Sequence, residues 1–210
     1  TRGIGVMRIG LDLDNTIINY QPAFLAQAKK IQLIPDDFDG AKSAIKQYIV
    51  KHHDEKAWQK LQGVVYGPGI NEAVIYPGVK DFLDQCHQNG HRVTIVSHKT
   101  QYGHFDETRT DLRKAALQFL SDNAILKTQY IGLSDQDIHF ATTRDEKIAK
   151  ITEFKFDYFV DDLEEVLEDA KFPSSIHKVH FVPEMTPSIK MPCLTTCQDW
   201  KQIARIVGVA

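Results

Sequence analysis

The chain has 210 residues, of which 42% are hydrophobic, so it can bury one sizeable core and still leave room for a small subdomain. Its formal net charge is -3 and charged residues of both signs are interspersed, so it lacks the basic stripe of nucleic-acid binding and we expect no nucleic-acid partner. No apolar stretch approaches the roughly 20 residues of a membrane span, and the N-terminus lacks the pattern of a signal peptide, so we expect a cytoplasmic protein without a membrane partner.

The first predicted element is a strand within "MRIGLDLDNTIINY", residues 7–20, where an apolar run ends in two carboxylates, Asp12 and Asp14. Two like charges at the tip of a strand are unfavourable unless a cation or another partner offsets them. On its own, however, the pattern is also typical of a strand followed by a turn in which Asp and Asn cap a helix. The remaining motifs must therefore decide between a reaction centre and a turn.

Residues 18–76 differ from the rest of the chain because their apolar positions recur at helical spacing. We expect three amphipathic helices, marked by Phe24/Ala28/Ile31, by Ala41/Ile45/Tyr48/Ile49 and by Trp58/Leu61/Val65, with "PDDFDG" as a turn. Because this segment follows the paired carboxylates directly, we expect it to cover the end of the first strand as a lid. Its aromatic residues Tyr20, Trp58 and Tyr66 are expected to pack in the core rather than stack on a ligand.

Helices and short apolar runs alternate after this segment. "YPGVKDFLDQCHQNGH" predicts a helix that ends at Gly90. Two further helices are expected, one around residues 112–120 and one that opens near Thr143, and a fourth helix follows residue 162. Strands are expected to end at Ser97, in "RVTIVSHKT", and at Asp161, in "FDYFVDDLEEVLED", with a later strand at 178–182. The apolar residues that mark the helices are Val79, Phe82, Leu83 and Cys86, then Leu112, Ala116, Phe119 and Leu120, and finally Leu163, Val166 and Leu167.

This alternation predicts an α/β fold, a doubly wound parallel sheet with helices on both faces. In such sheets, ligands bind beyond the carboxyl ends of the strands. Asp12, Ser97 and Asp161 are therefore expected to lie close together at one edge of the sheet, although they are far apart in the sequence.

The cysteines and histidines favour neither disulfides nor a zinc site. Cys86, Cys193 and Cys197 are too few for a disulfide framework, and the CxxxC pair has no second pair to complete a zinc tetrahedron. We expect free thiols. The nine histidines are scattered and are expected to be solvated or packed side chains rather than metal ligands.

Four motifs follow one another along the chain, namely Asp12-x-Asp14, Ser97 after an apolar strand, Lys147 in "TTRDEKIAKI", and Asp161 at the end of "FDYFVD". Their order resembles the haloacid dehalogenase (HAD) superfamily of phosphohydrolases and phosphotransferases, and the resemblance covers nearly the whole chain. It implies a Rossmann-like core, residues 1–17 and 77–210, with a small helical cap at residues 18–76. It also implies a phosphatase, because dehalogenase relatives need no acid at the position of Asp14.

The resemblance assigns each matched residue an expected part in phosphoryl transfer, which needs a nucleophile, a cation, donors to the phosphate oxygens and a proton for the leaving oxygen. Asp12 is the expected nucleophile and forms an aspartyl-phosphate. Asp14 is the expected general acid, and afterwards the base that activates water. Ser97 and Lys147 are expected to bind the phosphate, with Lys150, one turn further on, as an open alternative to the lysine.

Mg2+ is the expected cofactor, because it prefers carboxylate and carbonyl oxygens. Asp12 and Asp161 are expected to supply side-chain oxygens, and the resemblance adds the backbone carbonyl of Asp14. Asp162 and Glu165 compete for the outer position of the metal site; Asp161 ranks first among these acids and Asp162 second.

The substrate is expected to be a small phosphorylated metabolite rather than a phosphoprotein. The insertion carries seven lysines and six acidic residues, a balance that does not demand a polyanion. Lys99 either meets the leaving group of the substrate or is a solvated surface residue. Two other functions stay open, a phosphomutase or phosphotransferase that uses the same site and a non-catalytic phosphate-binding interaction protein. The oligomeric state is also open.

Overall fold

The computed structural model describes residues 5–184 and 194–210 of the chain. The strands in these ranges are β1 (Arg8–Leu11), β2 (Ile18–Asn19), β3 (Val74–Ile75), β4 (Arg92–His98), β5 (Ile138–Ala141), β6 (Tyr158–Asp161), β7 (His177–Phe181) and β8 (Thr195–Cys197). The helices are α1 (Gln21–Lys30), α2 (Lys42–His52), α3 (Glu55–Tyr66), α4 (Val79–Gln88), α5 (Leu112–Asp122), α6 (Arg144–Phe154), α7 (Glu164–Leu167) and α8 (Trp200–Val207).

A six-stranded parallel sheet in the order β5-β4-β1-β6-β7-β8 forms the centre of the fold and confirms the predicted α/β class. The chain builds one half of the sheet with β4 and β5 and then crosses to the other side of β1 to add β6, β7 and β8. Strand β1 is central, and its Leu11 lies opposite Ile95 of β4 on one side and Val160 of β6 on the other. Because the strand order reverses at β1, its carboxyl end is the point where a doubly wound sheet opens a ligand crevice.

Gly10 in β1 allows two aromatic rings to pack closely against the centre of the sheet. A Cβ atom at this position would lie 2.4 Å from the ring of Phe159 and 2.7 Å from the ring of Phe156. Both rings are buried and belong to one apolar cluster beneath α6 and α7. A side chain at position 10 would therefore displace one layer of the core that supports β1.

Helices α4 and α5 bury the apolar residues that predicted them, and α6 begins where expected. α4 buries all four predicted apolar residues and ends before Gly90, whose φ of 71° suits glycine. The side chain of Thr143 accepts a hydrogen bond from the backbone of Glu146 and so begins α6 where expected. α7 is only one turn long, and Leu163, which was expected on its apolar stripe, is 43% exposed.

Three helices and a two-stranded ribbon make up the segment between β1 and α4. Helices α1, α2 and α3 pack against one another, and the ring of Phe24 stacks on Trp58 with 5.1 Å between centroids. The antiparallel ribbon pairs Ile18 with Ile75 and Asn19 with Val74, so the two ends of the segment lie side by side. "The insertion" below means residues 18–76. Their assignment as a separate cap remains a prediction.

Within the described ranges, no helix is long and apolar enough to cross a membrane. Cys86 and Cys197 are free and buried, which confirms the expected thiols at these positions. Cys193 lies outside the described residues. The cytoplasmic location remains a prediction.

Candidate active site

The turn after β1 places Asp12 and Asp14 at the carboxyl edge of the sheet. Asp12 continues the strand pairing by donating its backbone N–H to the carbonyl of Val160 at 2.8 Å. Asn15 then adopts a positive φ of 62°, which asparagine tolerates better than most residues. The backbone N–H groups of residues 16, 17 and 18 all point to the carbonyl of Leu13 and close a tight turn. As a result, the two carboxylates leave the same turn and have different partners.

Lys147 is buried between two of the predicted acids. Its Nζ donates to Oδ1 of Asp12 at 2.7 Å and to Oδ2 of Asp161 at 2.6 Å. Its side chain is 1% exposed, although it lies on a helix, because α6 packs against β4 and β5. Burial lowers the pKa of Lys147, but the two carboxylates raise it by more, so the amine is held in its charged form.

Asp12, Asp161 and Asp162 form a group that we call the carboxylate cluster. One oxygen from each lies within 4.8 Å of the other two. Thr16 supports the cluster, since its hydroxyl is 3.3 Å from Oδ2 of Asp12 and 3.2 Å from Oδ1 of Asp162. Because the three donors are carboxylate oxygens, which hard divalent cations prefer, the cluster suits a divalent metal ion.

The electrostatics of the cluster are unfavourable without a further cation. Burial and then the charge of Asp161 raise the pKa of Asp12 to about 6, although Lys147 lowers it. Burial, together with the charges of Asp12 and Asp161, raises the pKa of Asp162 to about 9. One buried lysine therefore offsets only part of the negative charge, which is the situation a bound divalent cation would correct.

Asp14 lies outside the cluster and is held by two other donors. The hydroxyl of Tyr20 donates to its Oδ1 at 2.6 Å, and Nζ of Lys99 lies 2.7 Å from its Oδ2. Lys99 is 5% exposed, which answers the open question about this residue, because it is not on the surface. Tyr20 is fully buried, as expected of a core residue, and also contacts the predicted acid. Burial and then the charge of Asp14 raise the pKa of Tyr20 well above its ordinary value, so the phenol stays a donor.

Ser97 lies near the end of β4, the strand beside β1, and its side chain is fully buried. Its hydroxyl has no hydrogen-bond partner among the described residues. A buried hydroxyl without a partner is uncommon, because the loss of water is not compensated. The hydroxyl of Ser97 is therefore a donor that the described residues leave unused.

Two lower-ranked candidates lie apart from the cluster. Glu165 is exposed on α7 and is not part of the carboxylate cluster, whereas Asp162 is. Lys150 is partly exposed and forms no ion pair with the cluster acids in the described part of the chain, where Lys147 pairs with Asp12 and Asp161 instead. The structure thus brings Asp12, Asp161 and Asp162 together with Lys147.

Comparison with known proteins shows a shared fold at low sequence identity. No family model matches this chain, and no curated protein is similar to it. Among solved structures, the Bacillus subtilis protein YfnB, described as a HAD-hydrolase and bound to magnesium, is 12% identical with a TM-score of 0.61 over 96% of this chain and 98% of that one. The chain has the fold of HAD-superfamily hydrolases. A HAD family hydrolase from Deinococcus radiodurans with bound phosphate and sodium is 9% identical, with a TM-score of 0.58 over 97% of this chain and 96% of that one. A predicted phosphoglycolate phosphatase from Haemophilus somnus is 15% identical, with a TM-score of 0.53 over 96% of this chain and 98% of that one.

Proposed function

We propose that the protein is a Mg2+-dependent phosphatase that hydrolyses a small phosphate monoester through an aspartyl-phosphate. The observation that carries this proposal is the position of Asp12. It lies at the tip of the central strand of a HAD-type sheet, in a buried cluster with Asp161 and Asp162, 2.7 Å from Lys147. Asp14, two residues further on, supplies a second carboxyl group at the same edge.

Asp12 is the proposed nucleophile. One of its oxygens attacks phosphorus in line with the leaving oxygen, and the P–O bond to the alcohol breaks as the new bond forms. Asp12, Asp161 and Asp162 would hold Mg2+, which supplies charge that attracts the phosphate oxygens toward the carboxylate cluster. Lys147 offsets the charge that remains and keeps Asp12 oriented.

Ser97 and Lys147 are proposed to bind the phosphate oxygens. The hydroxyl of Ser97 has no partner among the described residues, so it can donate to a phosphate oxygen without giving up another hydrogen bond. The pairing of its strand with β1, the strand that ends at the nucleophile, supports this role.

Asp14 is proposed to protonate the leaving oxygen and then to take a proton from the water that hydrolyses the aspartyl-phosphate. Its two bonded donors fix its orientation, since Tyr20 belongs to the insertion and Lys99 to the core. The insertion is the proposed cap, because it contacts the proposed acid through Tyr20. Such a cover excludes water while the phosphoryl group is transferred.

The test is phosphate release from phenyl phosphate and from a panel of phosphorylated metabolites, with Mg2+ and with EDTA. We expect release that requires Mg2+ and is abolished in Asp12→Asn. Asp122→Asn, an exposed substitution of the same kind at the end of α5, serves as the control and should retain full activity. Activity that survives in Asp12→Asn would refute the aspartyl-phosphate, and isomerisation of a sugar phosphate without release would point to a mutase instead.

A further inference from the structure

Two lysines lie near Asp14, since Lys99 forms an ion pair with it and the charge of Asp14 acts on Lys42. Nζ of Lys99 lies 4.7 Å from the ring centroid of Tyr66. Nζ of Lys42, at the start of α2, donates to the hydroxyl of the same tyrosine at 3.2 Å and lies 4.8 Å from the ring centroid of Phe24. Tyr66 therefore connects the two amines, one from the core and one from the insertion.

The charges of the two lysines are balanced differently. Lys99 forms an ion pair with Asp14 at 2.7 Å. Lys42 forms no ion pair with any described residue, although its side chain is partly withdrawn from water. Burial lowers the pKa of Lys42, and the charges of Asp14 and Asp162 raise it only in part. A desolvated ammonium whose nearest partners are a phenol and aromatic rings is poorly compensated, and an anion would stabilise it.

Lys42 also shares a cleft with one acid of the carboxylate cluster. A cleft of about 260 Å³ opens between the insertion and the core, and its walls include Asn15, Lys42, Tyr76 and Asp162. Asp162 belongs to the cluster, so a ligand in this cleft would lie between the amine of Lys42 and one edge of the cluster. Asp14 is the proposed proton donor to the leaving oxygen, so groups close to Asp14 are expected to meet the alcohol part of the substrate.

We propose that Lys42, together with Lys99, selects phosphate monoesters whose alcohol part carries a second anionic group, a carboxylate or a second phosphate. This inference rests on the proposed phosphatase function and narrows its substrate class. Ser97 and Lys147 are the proposed ligands of the transferred phosphate, so the amine of Lys42, which has no ion pair among the described residues, is not needed to bind that phosphate. A second anionic group on the leaving alcohol would pair with this amine in a partly desolvated cleft, where charge-assisted hydrogen bonds are strongest.

The experiment compares kcat/KM for three probes on one carbon skeleton, namely glycerol 3-phosphate, 3-phosphoglycerate and glycerol 1,3-bisphosphate. The first has a neutral leaving alcohol, the second adds a carboxylate and the third adds a phosphate. We expect the native enzyme to prefer at least one of the two charged probes by roughly ten- to hundredfold, the size of one charge-assisted hydrogen bond. The better of the two identifies the anionic group.

Variants of Lys42 then assign the preference to this residue. Lys42→Met keeps the length that packs on Phe24 but removes the charge, and it should reduce the ratio of charged to neutral kcat/KM to near one. Lys42→Arg keeps the charge and should retain most of the ratio. Lys51→Met, in the last turn of the same helix and exposed, is the matched control and should leave the ratio unchanged. Thermal melting of each variant checks that the fold is intact.

The outcomes separate this inference from the function on which it rests. Equal kcat/KM for the three probes would overturn the inference, as would a preference that persists in Lys42→Met, while Mg2+-dependent hydrolysis of phenyl phosphate would leave the phosphatase in place. Failure to hydrolyse any probe, including phenyl phosphate, would overturn the phosphatase and the inference with it.

Discussion

Replacement of Lys147 by methionine tests whether this buried lysine stabilises the carboxylate cluster. The lysine is 1% exposed and donates to Asp12 at 2.7 Å and to Asp161 at 2.6 Å. Methionine fills similar space but leaves both carboxylates without their cation. Removal of one partner from a buried ion pair typically costs about 3–5 kcal/mol. At about pH 8, we expect metal-free Lys147→Met to lose about that much free energy of unfolding relative to the native protein.

The loss should depend on pH in a direction that the structure fixes. The pKa of Asp12 is already raised to about 6 by burial and by Asp161, and loss of the lysine raises it further. An acid whose pKa is higher in the folded state binds a proton on folding. It therefore lowers the free energy of unfolding more and more as pH rises above its pKa in the unfolded chain. Protonation costs about 1.4 kcal/mol for each pH unit above about 3.9. At about pH 5.5, Asp12 is already mostly protonated in the native protein, so its own share of the loss falls to roughly a few tenths of a kcal/mol.

Urea unfolding in EDTA at these two pH values measures the difference. Lys150→Met, one turn further along α6 and partly exposed, is the control and should change stability by no more than about 0.5 kcal/mol. A Lys147→Met protein as stable as the native protein at about pH 8, or with the same loss at both pH values, would show that the lysine does not compensate the cluster.

Three further predictions follow from the same geometry. Mg2+ should raise the melting temperature more at about pH 8 than at about pH 5.5. The pKa values of Asp12 (about 6) and Asp162 (about 9) are raised in the fold, so the metal-free protein loses stability as pH rises, and at low pH protons compete with the metal. Equal shifts in thermal melts at the two pH values would contradict this. Ser97→Ala should lower kcat/KM for phenyl phosphate about a hundredfold yet change urea stability by less than about 0.5 kcal/mol, because its buried hydroxyl has no partner to lose among the described residues. A large loss of stability would mean that the hydroxyl has a structural partner. Gly10→Ala should cost about 1–3 kcal/mol, because its methyl group would overlap the ring of Phe159, and an unchanged midpoint in urea would refute that contact.

The carboxyl edge of the sheet could be predicted because local patterns fix it. Each candidate at this edge ends an apolar run, and parallel strands bring such ends together whatever lies between them. Asp12, Ser97 and Asp161 needed only this rule. Lys147 needed one more step, since its helix begins at Thr143 and the first turns of a helix after a parallel strand point back toward the same edge.

Three elements, β5, β8 and α8, are absent from the sequence-based predictions. Strands β5 and β8 have four and three residues, too few for a period of two to stand out, and pairing to the sheet defines them. Helix α8 is different, because Trp200, Ile203, Ala204 and Val207 are all buried and fall at i, i+3, i+4 and i+7. That spacing predicts a helix from the sequence alone. Asp199 caps the helix by accepting a hydrogen bond from the backbone N–H of Gln202.

The partners of Asp14 could not be predicted, because they depend on how the insertion folds back over the sheet. Tyr20 has the signature of a core residue, and its hydroxyl reaches Asp14 only because the turn after Asp12 brings β2 under the sheet edge. Nothing in the sequence separates Lys42 from the other lysines of the insertion.

These contacts give the two neighbouring carboxylates their different environments. Asp12 lies among acids with one lysine and gains from a divalent cation, whereas Asp14 is bonded from the insertion by Tyr20 and from the core by Lys99. Displacement of the insertion from the core would remove the tyrosine from Asp14 and leave Asp12 with its lysine. The orientation of the proposed proton donor therefore depends on the insertion being in place over the sheet, while the orientation of the proposed nucleophile depends on the core alone.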